Sequence, residues 1–167
     1  SVVNGTITAM HGDVEAQENL KQICIREEQS SKYWSYVSCY IKAGDTAGCL
    51  TFAGVDETKL SACTSDKNKG LVYAQKDFDL NNKYGIEGSP TLILNNQKVT
   101  EFDFGGRTSE AVKTLICYGS ENEAKDCSKT LNTASAATSF SATYAGPVSS
   151  GNSGNSGAVN PNCAPAS

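Results

Sequence analysis

Seven cysteines carry most of the reactive chemistry in this sequence: Cys24, Cys39, Cys49, Cys63, Cys117, Cys127 and Cys163. A thiol can attack, ligate a metal or pair, and spacing separates these roles. No two cysteines lie within four residues of each other, so the chain holds neither a C-x-x-C redox motif nor a C-x2-C zinc knuckle. His11 is the one histidine, so a Cys/His cluster is not expected and no metal is assigned. Wide, irregular spacing suits structural disulfides and hence an oxidising compartment. Cys117 and Cys127 flank a nine-residue gap and are expected to pair. Cys24, Cys39, Cys49 and Cys63 are expected to pair among themselves, in one of three connectivities that the sequence does not choose between. Cys163 is then odd: it pairs with a segment outside this sequence, cross-links to another chain, or stays free.

Other constellations are sparse. No paired carboxylates, P-loop or Ser-His-Asp arrangement is legible, and no cofactor is implied. Arg107, after Gly105-Gly106, reads either as an anion contact or as a solvated arginine in a capping turn. Tyr33, Trp34 and Tyr36 read as core aromatics rather than as a ligand box. Asn4-Gly5-Thr6 is a glycosylation sequon, meaningful only where the cell glycosylates.

The elements that must position these residues fall into four stretches. Residues 1–12 are β-branched and alternate weakly, so they read as a strand or an extended arm. Residues 13–84 read as helical. Ala16, Leu20, Ile23 and Cys24 share one helix face behind an Asp13 cap. Ser30 or Ser31 opens a second helix carrying Trp34, Val37 and Ile41. Asp45 to Phe52 forms a third, stopped at Gly54. Asp56 caps a fourth through Leu60 to Cys63. The fifth runs from about Lys67 to Tyr84 with Leu71, Ala74 and Phe78 inward, ending at Gly85. In 85–129 the period changes: Thr91 to Leu94 is a β run, Asn95-Asn96 a turn, and Val99 to Phe104 the return strand. Thr108 then caps a helix with a Val112, Leu115, Ile116 stripe.

Residues 130–167 contain no Asp, Glu, Lys or Arg. This Ser/Gly/Asn/Ala-rich tail reads as a flexible linker of the kind that carries O-linked sugars. Phe140, Tyr144 and Val148 recur every four residues, which suits instead a segment ordered by packing on neighbours.

The whole chain has 167 residues, 17.6 kDa, and a net charge of −4 with a pI near 5.0. An acidic balance argues against nucleic acid and anionic membranes as partners. No run of eighteen apolar residues exists, so no transmembrane segment is expected. The sequence starts at Ser1, without a Met or a signal peptide, and is expected to be a processed or partial chain.

Two sets of residues resemble known families. The run Tyr84-Gly85-Ile86-Glu87-Gly88-Ser89-Pro90-Thr91-Leu92-Ile93-Leu94-Asn95 resembles the cis-proline segment of thioredoxin-fold oxidoreductases. Gly105-Gly106-Arg107-Thr108 and the helix ending at Ile116-Cys117 resemble the end of DsbA-like thioredoxin domains. His11, Gly12, Glu15, Asn19 and Cys24 have the spacing H-G-x2-E-x3-N-x4-C, similar to the motif of gamma-interferon-inducible lysosomal thiol reductases. That motif has a cysteine before the His-Gly and one after the Glu, whereas this chain has Ala9-Met10 and Ala16 there. Cys39, Cys49 and Cys63 resemble the order in the helical insertion of that group. The resemblance covers about residues 6–128.

It implies a thioredoxin-like α/β fold with a partial sheet, a helical insertion and a low-complexity C-terminal tail. It implies a cis peptide at Pro90, with Ser89-Pro90 lining a substrate groove; the plain alternative is a turn. His11 becomes a candidate proton shuttle on this motif alone; the plain alternative is a helix-entry or polar surface histidine. The family's redox C-x-x-C stands at a helix N-terminus, where a thiol pKa is lowered, in a segment that would precede Ser1, so no catalytic residue is assigned here.

Two functions compete. One is an extracytoplasmic thiol–disulfide oxidoreductase, secreted, periplasmic-like or at the cell surface, whose substrate is a disulfide-containing protein. The other is a non-catalytic, disulfide-stabilised surface or assembly module that contacts neighbouring copies of itself.

Overall fold

A hairpin opens the chain. In the computed structural model, which describes residues 2–136, β1 (Val2–Val3) and β2 (Thr6–Ile7) pair antiparallel. Val2 faces Ile7, and Val3 faces Thr6. Between them Asn4 and Gly5 hold φ of 50° and 72°, the type I′ turn that an Asn-Gly pair favours. The stretch expected as a strand or arm is therefore a tight hairpin, with Ile7 buried and Val2 packed against the core.

The described chain is mixed α/β and mostly helical, and it divides into two compact units between Ile86 and Glu87. In the first unit the hairpin precedes α1 (Asp13–Glu28). Gly12, not Asp13, is the cap residue, with φ 94°, a conformation that suits a residue without Cβ. Ala16, Leu20, Ile23 and Cys24 are buried, and so are Glu18 and Ile25 on the opposite side. At about 100° per residue, positions 16 and 25 lie half a turn apart. Thus α1 is a central helix, packed against α2 on one hand and against α4 and α5 on the other.

The second helix, α2 (Ser30–Ala43), starts after Gln29 rather than at a serine cap. Its inward face is Tyr33, Tyr36, Val37 and Tyr40. Trp34 is 73% exposed, contrary to its expected core position, and meets Tyr33 edge-on with ring centroids 5.0 Å apart. The Asp45 carboxylate accepts from the Gly48 N–H and so starts α3 (Thr46–Ala53), which Gly54 ends in the left-handed region. Asp56 accepts from the Lys59 N–H and starts α4 (Glu57–Ser65). The last helix of this unit, α5 (Gly70–Tyr84), buries Ala74, packs Leu71 and Phe78 on the core, and ends at Gly85.

Two disulfides tie these helices. Cys24–Cys63 links α1 to α4, and Cys39–Cys49 links α2 to α3. This selects one of the three open connectivities. Arg26 donates two hydrogen bonds to the Asp77 carboxylate, at 2.9 and 3.1 Å, joining α1 to α5.

In the second unit β3 (Leu92–Leu94) and β4 (Gln97–Val99) pair antiparallel. The turn residues Asn95 and Asn96 both have positive φ, 50° and 65°. The return strand, expected over Val99 to Phe104, instead lies earlier and shares only Val99 with that stretch. The Thr100 hydroxyl accepts from the Phe102 N–H and starts a 3-10 turn over Glu101–Phe104. Thr108 caps α6 (Ser109–Gly119) by accepting from the Ala111 N–H. Its buried face is Ala111, Leu115 and Cys117, whereas Ile116 of the expected stripe is 46% exposed. The hairpin turn meets the end of α6: Asn95 donates to the Gly119 carbonyl at 2.8 Å, and a Cβ on Gly119 would stand 2.6 Å from Leu94 Cγ. Cys117–Cys127 anchors the following turns.

The two antiparallel sheets have two strands each. The first residues of the uncharged tail are held in place. Leu131 N–H donates to Glu110, Ala136 N–H donates to the Arg107 carbonyl at 2.7 Å, and Ser135 bridges to Thr108. The expectations for 137–167, Cys163 and the Phe140, Tyr144, Val148 spacing among them, lie outside the described residues.

Candidate functional site

The His-Gly motif is only partly brought together. Glu15, in the first turn of α1, accepts from the His11 backbone N–H at 2.8 Å, a reach-back of the capping-box kind. The same carboxylate oxygen lies 3.0 Å from His11 Nδ1. An imidazole held by a carboxylate can relay a proton, and both side chains are more than a third exposed. Gly12 supplies the turn between them. Asn19 is exposed further along α1, and Cys24 is buried in its disulfide with Cys63, so neither joins His11.

Ser89 and Pro90 belong to the second unit, at the mouth of β3. Both are exposed, and the peptide bond between them is cis. The next residue fixes the turn, since the Thr91 hydroxyl donates to the Gly88 carbonyl at 2.7 Å. The backbone here leads directly into a hairpin strand, which is where an extended peptide could add main-chain hydrogen bonds.

Arg107 stands in the turn before the Thr108 cap with its side chain 41% exposed, and the anion it meets is a carboxylate of the same unit. Its Nε donates to the Glu101 carboxylate at 2.9 Å, and its guanidinium lies over the Phe102 ring, 5.5 Å from the centroid. A backbone hydrogen bond within Glu101, and then Arg107, hold the Glu101 carboxyl below its ordinary range.

Within the second unit a cavity of about 610 Å³ opens beside α6. Val112, Ile116, Leu131 and the Cys117–Cys127 disulfide form its apolar wall. Its Lys113 ammonium is engaged by the Glu110 carboxylate and the Lys129 carbonyl, both at 2.5 Å. The pairing of Cys117 with Cys127 was legible in the spacing, but the cavity was not, because Leu131 and Ala136 return to α6 from beyond its C-terminal end.

Sequence reasoning also misses the buried polar centre of the first unit. Glu18 is 6% exposed. It accepts from the Tyr36 hydroxyl at 2.7 Å, from Gln22 at 3.0 Å and from the Thr46 hydroxyl at 3.3 Å, with the Lys21 ammonium 3.7 Å away. Burial first, then the bond to Glu18, push the Tyr36 hydroxyl well above its ordinary value. A carboxylate with this many donors is a satisfied structural anchor, and its groups face inward rather than toward a substrate. The signal that could have found it is Ile25, which shows that the Glu18 side of α1 is also covered.

Among the described residues no group of three or more His, Cys, Asp or Glu is placed to hold a metal ion. No described helix is long and apolar enough to cross a membrane. Compared with protein-family models, curated proteins and solved structures, the chain matches none of them.

Proposed function

We propose that this chain is part of an extracytoplasmic thiol–disulfide oxidoreductase of the DsbA-like thioredoxin kind, with its redox C-x-x-C contributed by a segment upstream of Ser1. The observation that carries this reading is the placement of Ser89-Pro90. The pair stands exposed at the mouth of a hairpin strand, followed by a Gly-Gly turn and a capped helix. That order is the one in which such enzymes present a substrate groove. A thiolate of the upstream pair would attack one sulfur of the substrate disulfide. The substrate S–S bond would break, a mixed disulfide would form, and the released substrate thiolate would take a proton. The second upstream thiol would then resolve the intermediate. His11, held by Glu15, is a candidate to exchange protons with solvent during these steps. Three disulfides support an oxidising location.

The alternative is a non-catalytic, disulfide-stabilised surface or assembly module. The observation favouring it is that all six described cysteines are paired, with no C-x-x-C in the 167 residues. Two-stranded sheets also present edges that a strand from another copy could join.

The intact mass of the native protein, alkylated without reduction and followed by peptide mapping, separates the two. The oxidoreductase reading expects a polypeptide heavier than 17.6 kDa that carries a C-x-x-C peptide. A native protein of these 167 residues alone would overturn it in favour of the module.

A further inference from the structure

Asn4-Gly5-Thr6 is the one Asn-x-Ser/Thr sequence among the thirteen asparagines of the chain. The fold puts it at a hairpin tip. Asn4 and Gly5 are the two turn residues, and both are exposed. Thr6 opens β2 on the outward face, opposite Val3, while its neighbour Ile7 is buried. The burial pattern therefore turns the hydroxyl-bearing residue to solvent and the apolar one to the core. Space around the turn is open as well. A Cβ placed on Gly5 would meet only the end of the Lys67 side chain, 3.9 Å away. A large polar group on Asn4 would displace nothing from the core.

From this placement we propose that Asn4 is an N-glycan acceptor, taking an oligosaccharide from a lipid pyrophosphate donor. The Asn4 side-chain nitrogen attacks the anomeric carbon of the donor sugar. A carbon–nitrogen bond forms, the bond from that carbon to the pyrophosphate oxygen breaks, and the lipid pyrophosphate leaves. The amide proton passes to a base of the transferase. No oxidant or reductant is needed. The Thr6 hydroxyl, two residues on, makes the sequon competent, and Gly5 leaves the backbone free to present it. The three disulfides suit the same secretory compartment in which this transfer occurs. The inference is independent of any redox activity.

The test is the intact mass of the full chain, secreted from a eukaryotic host that transfers such oligosaccharides, before and after glycoamidase treatment in heavy-oxygen water. The expected result is a mass that drops on treatment, with one heavy oxygen located at position 4 as the released Asn becomes Asp. Thr6→Ala should abolish the glycan, and Thr6→Ser should retain it, with both variants folded because Thr6 is exposed. A wild-type mass that exceeds that of Thr6→Ala only by the difference between the two side chains, and that does not drop on treatment, overturns the proposal. So does an Asp at position 4 without heavy oxygen, which would report spontaneous deamidation at Asn4-Gly5.

Discussion

The Tyr36 hydroxyl donates to Glu18 Oε1 across 2.7 Å inside the first unit, joining α2 to the far side of the central helix. Tyr36 is fully buried, and Glu18 nearly so. Removing the hydroxyl leaves a buried carboxylate one donor short. A hydrogen bond to a charged group contributes about 1.5–3 kcal/mol, so Tyr36→Phe should lower stability by that amount. The denaturant midpoint should fall while the slope stays unchanged.

The same pair sets an alkaline limit. Burial and Glu18 raise the folded-state value of the Tyr36 hydroxyl, and burial also raises Tyr40. The unfolded chain ionises these tyrosines near pH 10. Their contribution is therefore fully present below about pH 10 and is lost as pH rises beyond it. Denaturant midpoints measured across that range should fall in the wild type, and fall less steeply in Tyr36→Phe.

The two helix-tying disulfides should not be equivalent. Cys24–Cys63 closes a sequence separation of 39 and Cys39–Cys49 one of 10. Loop-closure entropy assigns roughly 3.9 kcal/mol to the first and roughly 2.7 kcal/mol to the second. Replacing both partners of each pair with serine and measuring thermal midpoints should show the larger loss for Cys24–Cys63. Equal losses would mean that packing, not chain entropy, dominates.

Gly70 starts α5 where a side chain has no room. A Cβ there would stand 2.7 Å from the Cys63 carbonyl oxygen and 3.1 Å from Leu20 Cδ1, beside the Cys24 sulfur at 3.4 Å. Alanine is the better helix former by about 1 kcal/mol, yet overpacking against backbone typically costs about 1–3 kcal/mol. Gly70→Ala should therefore be destabilising in chemical denaturation. Gly88→Ala, with nothing within 4 Å, should change little.

How much of this was legible follows from the range of each interaction. Asp45, Asp56 and Thr108 bond backbone three residues ahead, so these helix starts were written locally, as were the stops at Gly54 and Gly85. The Ala16, Leu20, Ile23, Cys24 face was legible from periodicity alone. Trp34 was misplaced because hydrophobic mass alone suggested burial, whereas tyrosines with polar ends line the core side of α2. The Asn4-Gly5 turn signal was present but was read only as a sequon. The Glu18 centre was invisible because Tyr36 and Thr46 come from two other helices. The partners of Cys24 and Cys39 were equally beyond local pattern. Of the candidate site, the His11–Glu15 contact is local, while the wall formed by Leu131 and Cys127 depends on the chain folding back onto α6.

The measurement that tests the functional reading most directly is dithiothreitol-driven insulin reduction by the native protein beside the 167-residue chain. The account predicts that the native protein accelerates insulin precipitation and that the 167-residue chain, with its six described cysteines paired, does not. A native protein without activity would contradict the oxidoreductase reading, and activity in the 167-residue chain alone would contradict the placement of the reactive thiols upstream.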